Sequence, residues 1–356
     1  MRRHRIVGTG LFALDVILDT DSRRLASALG GSSGNVLSIL GALGWTATPV
    51  TRLGRDRMGL QLCHELEEIG ADLRFVDLSP GRRTNVIYQH QLDSSESERS
   101  THRFSFVCPS CGEKHRPVVD CGSDLVHKAL AEQASTDVFY LDRPTREGYE
   151  LARSYSTSGA LVVFEPSNEG ADPQLFSDIL RYSHIVKYAE ERFHSLSLRM
   201  PDSVMLEIQT LGERGLRFRA GCSDRSWRHL EAFAVPHIQD TAGAGDWCTA
   251  GLLFSLLQRL PRDINSLQLG DLSSALSFGQ ALSSLNCLTQ GARGLLQALD
   301  VPAILDLANS LCVERAGAGR PVEADRLDLI SRQQASFYDR GAFSSLPACC
   351  HSRGSH

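Results

Sequence analysis

The chain has 356 residues, a formal net charge of −5 at pH 7, and 42% hydrophobic against 22% charged residues. That length can bury a large core, and the slightly acidic balance leaves no broad basic footprint for nucleic acid. No uninterrupted apolar run of about 18 residues is present to span a bilayer. The ten cysteines are scattered through a core-forming chain rather than dense in a small secreted one, which predicts reduced thiols and a cytoplasmic protein.

Met1 to Arg5 precede an apolar stretch as in a secretory leader, but Asp15 and Asp19 interrupt it and no convincing small-residue cleavage site follows. Ile6-Val7 begins a strand. Gly8-Thr9-Gly10 then mimics a dinucleotide fingerprint, yet Leu14 to Asp19 partly alternates and is rich in β formers where that motif needs a helix. Helical patterning follows over Val36 to Leu43 and Gly59 to Ile69. Between Arg83 and about Leu130 the pattern turns to a β excursion: strand-like Asn85 to His90, polar Asp93 to Ser100, and alternating Arg103 to Val107.

Inside the excursion lies Cys108-Pro109-Ser110-Cys111-Gly112, with His115 and Cys121 beyond it. The spacing resembles a zinc knuckle whose histidine is displaced by one residue. Cys108, Cys111, His115 and Cys121 are therefore candidate ligands of a structural zinc, with His90, His102 or a partner subunit as alternative donors.

Val138 to Leu141, Leu161 to Phe164, Ile185-Val186 and Val204 to Ile208 read as short buried strands, separated by helix-like Arg146 to Ser158 and Pro173 to Tyr182. Strands alternating with helices predict an α/β fold whose mostly parallel sheet is covered on both faces, with ligands at the strand C-terminal edge.

Ala232 to Pro236 reads as a strand leading to Asp240-Thr241-Ala242-Gly243-Ala244-Gly245-Asp246, and Trp247 to Leu257 is helical up to the stop at Pro261. The small residues Ala242, Gly243, Ala244 and Gly245 thus sit at a helix N-terminus, where open backbone N–H groups and the helix dipole favour an anion such as a phosphoryl group. Asp246, fixed beside them, is the candidate general base that takes the proton of an attacking hydroxyl. Leu276 to Asn286 is a helix with small residues. The stretch 316–320 reads as a linker, and Ala324 to Phe337 as a further helix before a Gly/Ser/His-rich end.

Position by position, Asp240 to Leu253 resembles the C-terminal signature of the PfkB (ribokinase-like) carbohydrate kinases. Gly30 to Asn35 resembles that family's paired-glycine segment, Gly54 to Gly59 its Gly-x-Asp-x-x-Gly loop, and Thr210 to Gly215 its Thr-x-Gly-x-x-Gly turn. The resemblance covers residues 5 to about 300 and implies a ribokinase-like three-layer sandwich with a small β lid (about 9–20 and 83–130) that often forms a dimer contact. It makes 1–311 the kinase domain, the knuckle-like 108–121 an insertion, and 312–356 a partly helical or disordered extension.

The resemblance also implies ATP with Mg²⁺, and a hydroxymethyl group of a sugar as acceptor. Asp15, Gly31 and Asn35 would bind substrate hydroxyls. Thr210, Gly212 and Gly215, with Ala242, Gly243 and Gly245, would hold the nucleotide, and Leu276 to Asn286 would close the adenine pocket. One departure is clear: the family's Asn-x-x-Glu segment falls on Ala189 and Arg192, so Glu190, Glu191 or Glu165 are the candidates for organising Mg²⁺. A nucleoside kinase of the same superfamily, and a ligand-binding protein that lost transfer chemistry, are the alternative readings.

Overall fold

The computed structural model describes residues 3–22, 24–92, 102–132, 135–193, 200–221, 224–259, 268–318 and 322–339. The expected polar stretch Asp93 to Ser100, Cys222 and the end beyond 339 lie outside them.

The strands are β1 Arg5–Thr9, β2 Ala13–Leu18, β3 Arg24–Gly30, β4 Thr46–Gly54, β5 Val76–Ser79, β6 Val86–Gln91, β7 His102–Ser105, β8 Val138–Leu141, β9 Leu161–Phe164, β10 Ile185–Ala189, β11 Leu206–Thr210, β12 Leu216–Ala220 and β13 Arg228–Leu230. The helices are α1 Ser32–Ala42, α2 Arg57–Glu68, α3 Ser123–Ala131, α4 Arg146–Thr157, α5 Pro173–Tyr182, α6 Ala244–Arg259, α7 Leu269–Asn286, α8 Gly294–Ala298, α9 Val301–Arg315 and α10 Ala324–Asp339.

The large sheet runs β13-β12-β11-β10-β9-β8-β1-β4-β5. Its pairs from β11 through β5 are parallel, and β12 and β13 add antiparallel edges. Alternate side chains explain why its strands are almost continuously apolar: Ile6, Tyr140, Val163 and Ile185 enter one core with α1, α6, α7 and α9, while Val7, Phe139, Val162 and Val186 enter another with α3, α4 and α5. A sheet buried on both faces cannot use a polar/apolar alternation. This is the three-layer α/β architecture the sequence predicts.

A second sheet, β3-β2-β6-β7, is the small sheet expected from the excursion. Leu14, Val16 and Leu18 of β2 and Tyr88 of β6 join the main core. The excursion is shorter than expected, because α3 packs Leu125, Val126 and Ala129 into the core beneath the large sheet. At the other end, α10 seats Leu327 and Ile330 in the main core, and its Gln334 exchanges hydrogen bonds with the Gln290 backbone at 2.7 Å each way.

One expected strand is absent. Ala232 to Pro236 forms no ladder; Phe233 and Val235 pack half-buried against the main core, so their alternation reflects a loop laid on an apolar surface.

Candidate active site

The strand C-terminal ends deliver a line of acidic and polar groups, as parallel α/β sheets do. Asp142 follows β8, Glu165 follows β9, and Thr210 ends β11. Asp142 is fully buried; its Oδ1 accepts from the Leu11 amide at 2.9 Å and from Ser33 Oγ at 3.0 Å, which ties the loop after β1 to the start of α1.

Asp246 lies in the first turn of α6, 8% exposed, and its Oδ2 accepts from Asn35 Nδ2 at 2.8 Å. Burial, with the negative charge of Glu165, pushes its carboxyl up to about 8, against the pull of Asn35 and Lys187. Glu165 in turn pairs with buried Lys187, accepts from Thr249 Oγ1 at 2.6 Å, and takes a longer bond of 3.3 Å from Tyr140. Lys187 follows Ile185 by two positions on β10, so it faces the core side that α6 covers. A Cβ on Gly245 would stand 3.6 Å from Lys187 Nζ and 3.7 Å from Glu165 Oε1. Carboxylate, ammonium and helix start therefore meet at one point.

The acceptor side comes from the small sheet and α1. Asp15 on β2 is half-buried, and the Gly31 amide near it favours its ionised form. Its carboxyl is raised to about 7, chiefly by burial and against the nearby Arg293. Gly31 caps α1 at φ 77, a backbone region that favours glycine. Among the described residues, two buried oxygens here have no hydrogen-bond partner: Asp15 Oδ1 and Asn35 Oδ1. Buried acceptors are normally satisfied, so Asp15 Oδ1, and Asn35 Oδ1 on the residue that contacts Asp246, fit a ligand that brings hydroxyl donors.

The phosphate-loop expectation is narrowed. Ala242's amide is committed to Asp240 Oδ1 at 2.9 Å, and Ala244's bonds Thr241 O at 3.2 Å. Among the described hydrogen bonds, the amides of Gly243, Gly245 and Asp246 remain for an anion at the helix start. Gly243 has φ 73, and a Cβ there would fall 2.5 Å from Ala292. The Thr210 to Gly215 segment forms a tight turn closed by Leu211 N to Gly215 O at 2.8 Å, and a groove of about 680 Å³ beside it is lined by Leu211, Glu213, Arg214, Trp227 and Ala232.

One motif gains a structural role, and one other expectation changes. Asp56 of the Gly54 to Gly59 loop is a structural tie: it caps α2 and accepts from the Thr84 amide and hydroxyl at 2.9 and 2.8 Å, anchoring the entry to β6. The zinc site is overturned. Cys108 points into the main core and Cys121 into the opposite one, Cys111 is exposed, and among the described residues no group of three or more His, Cys, Asp or Glu side chains converges to hold a metal.

Glu190, in a short 3-10 turn after β10, ion-pairs with Arg214, and Glu191 is exposed. Sequence reading missed Lys187, Thr249, Asp142 and Tyr140 as site residues. For Lys187, Tyr140 and Asp142 the available signal was a charged or polar residue in or just after an otherwise apolar parallel strand; Thr249, on α6, carried none.

Comparison with known proteins agrees with this geometry. Residues 3–299 match the model of the pfkB family carbohydrate kinases. A fructokinase from Salmonella typhimurium is 25% identical over 302 residues, covering 78% of this chain and 91% of that protein. Among solved structures, a fructokinase double mutant from Vibrio cholerae O395, bound to fructose, ADP and potassium ion, superposes with a TM-score of 0.63 at 19% identity, covering 86% of this chain and 98% of that one. A Burkholderia thailandensis nucleoside kinase in complex with inosine gives a TM-score of 0.62 at 15% identity, covering 81% and 92%. The sheet order, the helix-start loop and the family match together make this chain a member of the pfkB family of carbohydrate kinases.

Proposed function

We propose that the protein transfers the γ-phosphoryl group of ATP to a hydroxymethyl group of a sugar, with Asp246 as general base. The observation that carries this reading is two buried acceptors unpartnered among the described residues, Asp15 Oδ1 and Asn35 Oδ1, the second on a residue that itself contacts the base. Sugar hydroxyls donate to both oxygens and hold the reacting hydroxyl near Asp246.

In the transfer, the substrate oxygen forms a bond to γ-phosphorus as the bond from that phosphorus to the β–γ bridging oxygen breaks. The hydroxyl proton passes to Asp246 and ADP leaves. A carboxyl at about 8 holds that proton more firmly than an ordinary aspartate and remains matched to neutral conditions. The open amides of Gly243 and Gly245 receive the charge on the migrating phosphoryl group. Lys187 is the adjacent positive charge.

Mg²⁺ keeps phosphate and water ligands and needs only one or two protein carboxylates. Exposed Glu191 is the open candidate, with Glu190 and Glu165 available if they exchange their Arg214 and Lys187 partners, and the ion would neutralise charge on the nucleotide phosphates. Thr210, Gly212 and Gly215 would border the nucleotide.

Because curated relatives are named fructokinase, fructose heads the substrate panel, followed by other ketoses, aldopentoses and nucleosides. The test is acceptor-dependent ADP formation by the wild type and by Asp246→Asn. Turnover with a sugar that disappears in the variant supports the proposal. Preference for a nucleoside moves the acceptor class, and Mg-ATP binding with no transfer to any acceptor overturns it.

A further inference from the structure

Asp240 opens the helix-start loop, yet among the described residues four donors from two different parts of the fold converge on its buried carboxylate. Two belong to the catalytic body: the amides of Ala242 at 2.9 Å and Gly291 at 2.8 Å. Two belong to the small sheet: Gln89 Nε2 on β6 and His102 Nδ1 on β7, at 2.8 Å. Burial raises the Asp240 carboxyl, but the His102 hydrogen bond and charge and the two amides outweigh it, holding the group below the usual carboxylate range.

A carboxylate has about four lone-pair sites, and its donors among the described residues come two from the sheet and two from the loop side. The connection is reinforced by Ile17 of β2, whose Cδ1 lies 2.7 Å from where a Cβ on Gly291 would stand. The far side of the loop is fixed independently: Asn286 Nδ2 donates to Ala242 O at 3.0 Å, and the Asp240 amide reaches Cys287 O at 3.3 Å.

We propose that His102 and Gln89 are positioning residues for phosphoryl transfer, acting through Asp240 to set the loop that presents the Gly243 and Gly245 amides. The inference rests on the kinase reading above. It adds that the loop reaches working geometry only while the small sheet is seated. Asp15, which meets the acceptor, lies on β2, opposite Ile87 of β6 and two residues along the strand from Gln89's partner Ile17. Seating the acceptor against β2 therefore holds the same sheet that holds Asp240. An empty, unseated sheet withdraws two of the four donors, the loop loses its shape, and ATP is spared from transfer to water.

The test compares wild type with His102→Ala, Gln89→Leu and His102→Gln. Losing a hydrogen bond to a charged group corresponds to roughly a 10- to 100-fold effect. His102→Ala is expected to lower kcat by that factor while the sugar KM stays within roughly threefold, and to raise the fraction of ATP hydrolysed without sugar phosphorylation. His102→Gln, which keeps a donor, is expected to recover most of the loss. A higher sugar KM at unchanged kcat would instead make His102 a substrate contact and overturn the proposal, as would a glutamine variant no better than alanine.

Deuterium uptake of peptides covering 240–247 and 288–292 is read on the same folded variants, with matched circular dichroism, and needs no turnover. His102→Ala is expected to speed exchange in both peptides. Unchanged uptake sinks the coupling even if the enzyme is active, whereas a wild type without Asp246-dependent transfer sinks the kinase reading and leaves the uptake result to judge the coupling separately.

Discussion

Replacing Asp246 with asparagine should separate stability from activity. A carboxyl raised from 3.8 to about 8 in the folded protein stabilises the fold relative to its ionised form only while protonated; that contribution is complete below 3.8 and is lost as pH rises through 8. At about 1.4 kcal/mol per tenfold change in proton affinity, keeping this group folded costs wild type on the order of 2 kcal/mol at pH 5 and 5 kcal/mol at pH 8. The substituted asparagine carries no such charge, and its amide oxygen can still accept from Asn35.

With an unfolding entropy of about 2.1 cal/mol/K per residue, 1 kcal/mol corresponds to roughly 1.3 °C for a chain of this length. The variant should melt several degrees above wild type at pH 8, and the gap should shrink by about half or more at pH 5. Turnover should fall by roughly 10²- to 10⁴-fold, the usual worth of a general base. Thermal melts across the pH range, paired with kcat, measure both. A variant no more stable than wild type at pH 8, or a gap that ignores pH, refutes the assignment of a strained, buried base.

Glu165→Gln removes the negative charge that helps raise Asp246, so the acid limb of kcat/KM, expected near pH 8 in wild type, should move to lower pH; an unmoved limb would mean that Glu165 does not tune the base. Asp15→Ala should raise the sugar KM by roughly 10- to 100-fold, the loss of a hydrogen bond to a charged group, with little change in kcat; steady-state kinetics at pH 8, above the Asp15 value of about 7, check it. Gly243→Ala forces a side chain into a φ of 73 against Ala292 and should cost about 1–3 kcal/mol with loss of transfer; denaturant melts and turnover together read it.

What the sequence revealed was whatever is local. Asp240 to Asp246 carries its turn, its helix start and its carboxylate within seven residues, and Gly31 and Asn35 lie four apart, so a loop and a cap with their chemistry are legible in a single segment. Apolar strands alternating with helices likewise encode a two-sided parallel sheet. Lys187 and Tyr140 come from β10 and β8 and Glu165 from the residue after β9, and nothing in their flanking residues says that they share one face beneath α6.

The cysteines misled for the complementary reason. Cys108 and Cys121 have plausible ligand spacing, but spacing does not reveal that each enters a different apolar core. In the sequence Asp240 stands only as part of a motif. Its role as the junction with His102 and Gln89 depends on contacts across 138 and 151 residues of chain.

The most direct measurement is the fate of the phosphorus. Phosphorus NMR of a mixture of the protein, Mg-ATP and fructose, or the best acceptor of the panel, should show a sugar phosphomonoester growing in step with ADP, and no such signal when Asp246→Asn replaces wild type. ADP with inorganic phosphate and no sugar ester, or ester formation at equal rates in the variant, would contradict the account.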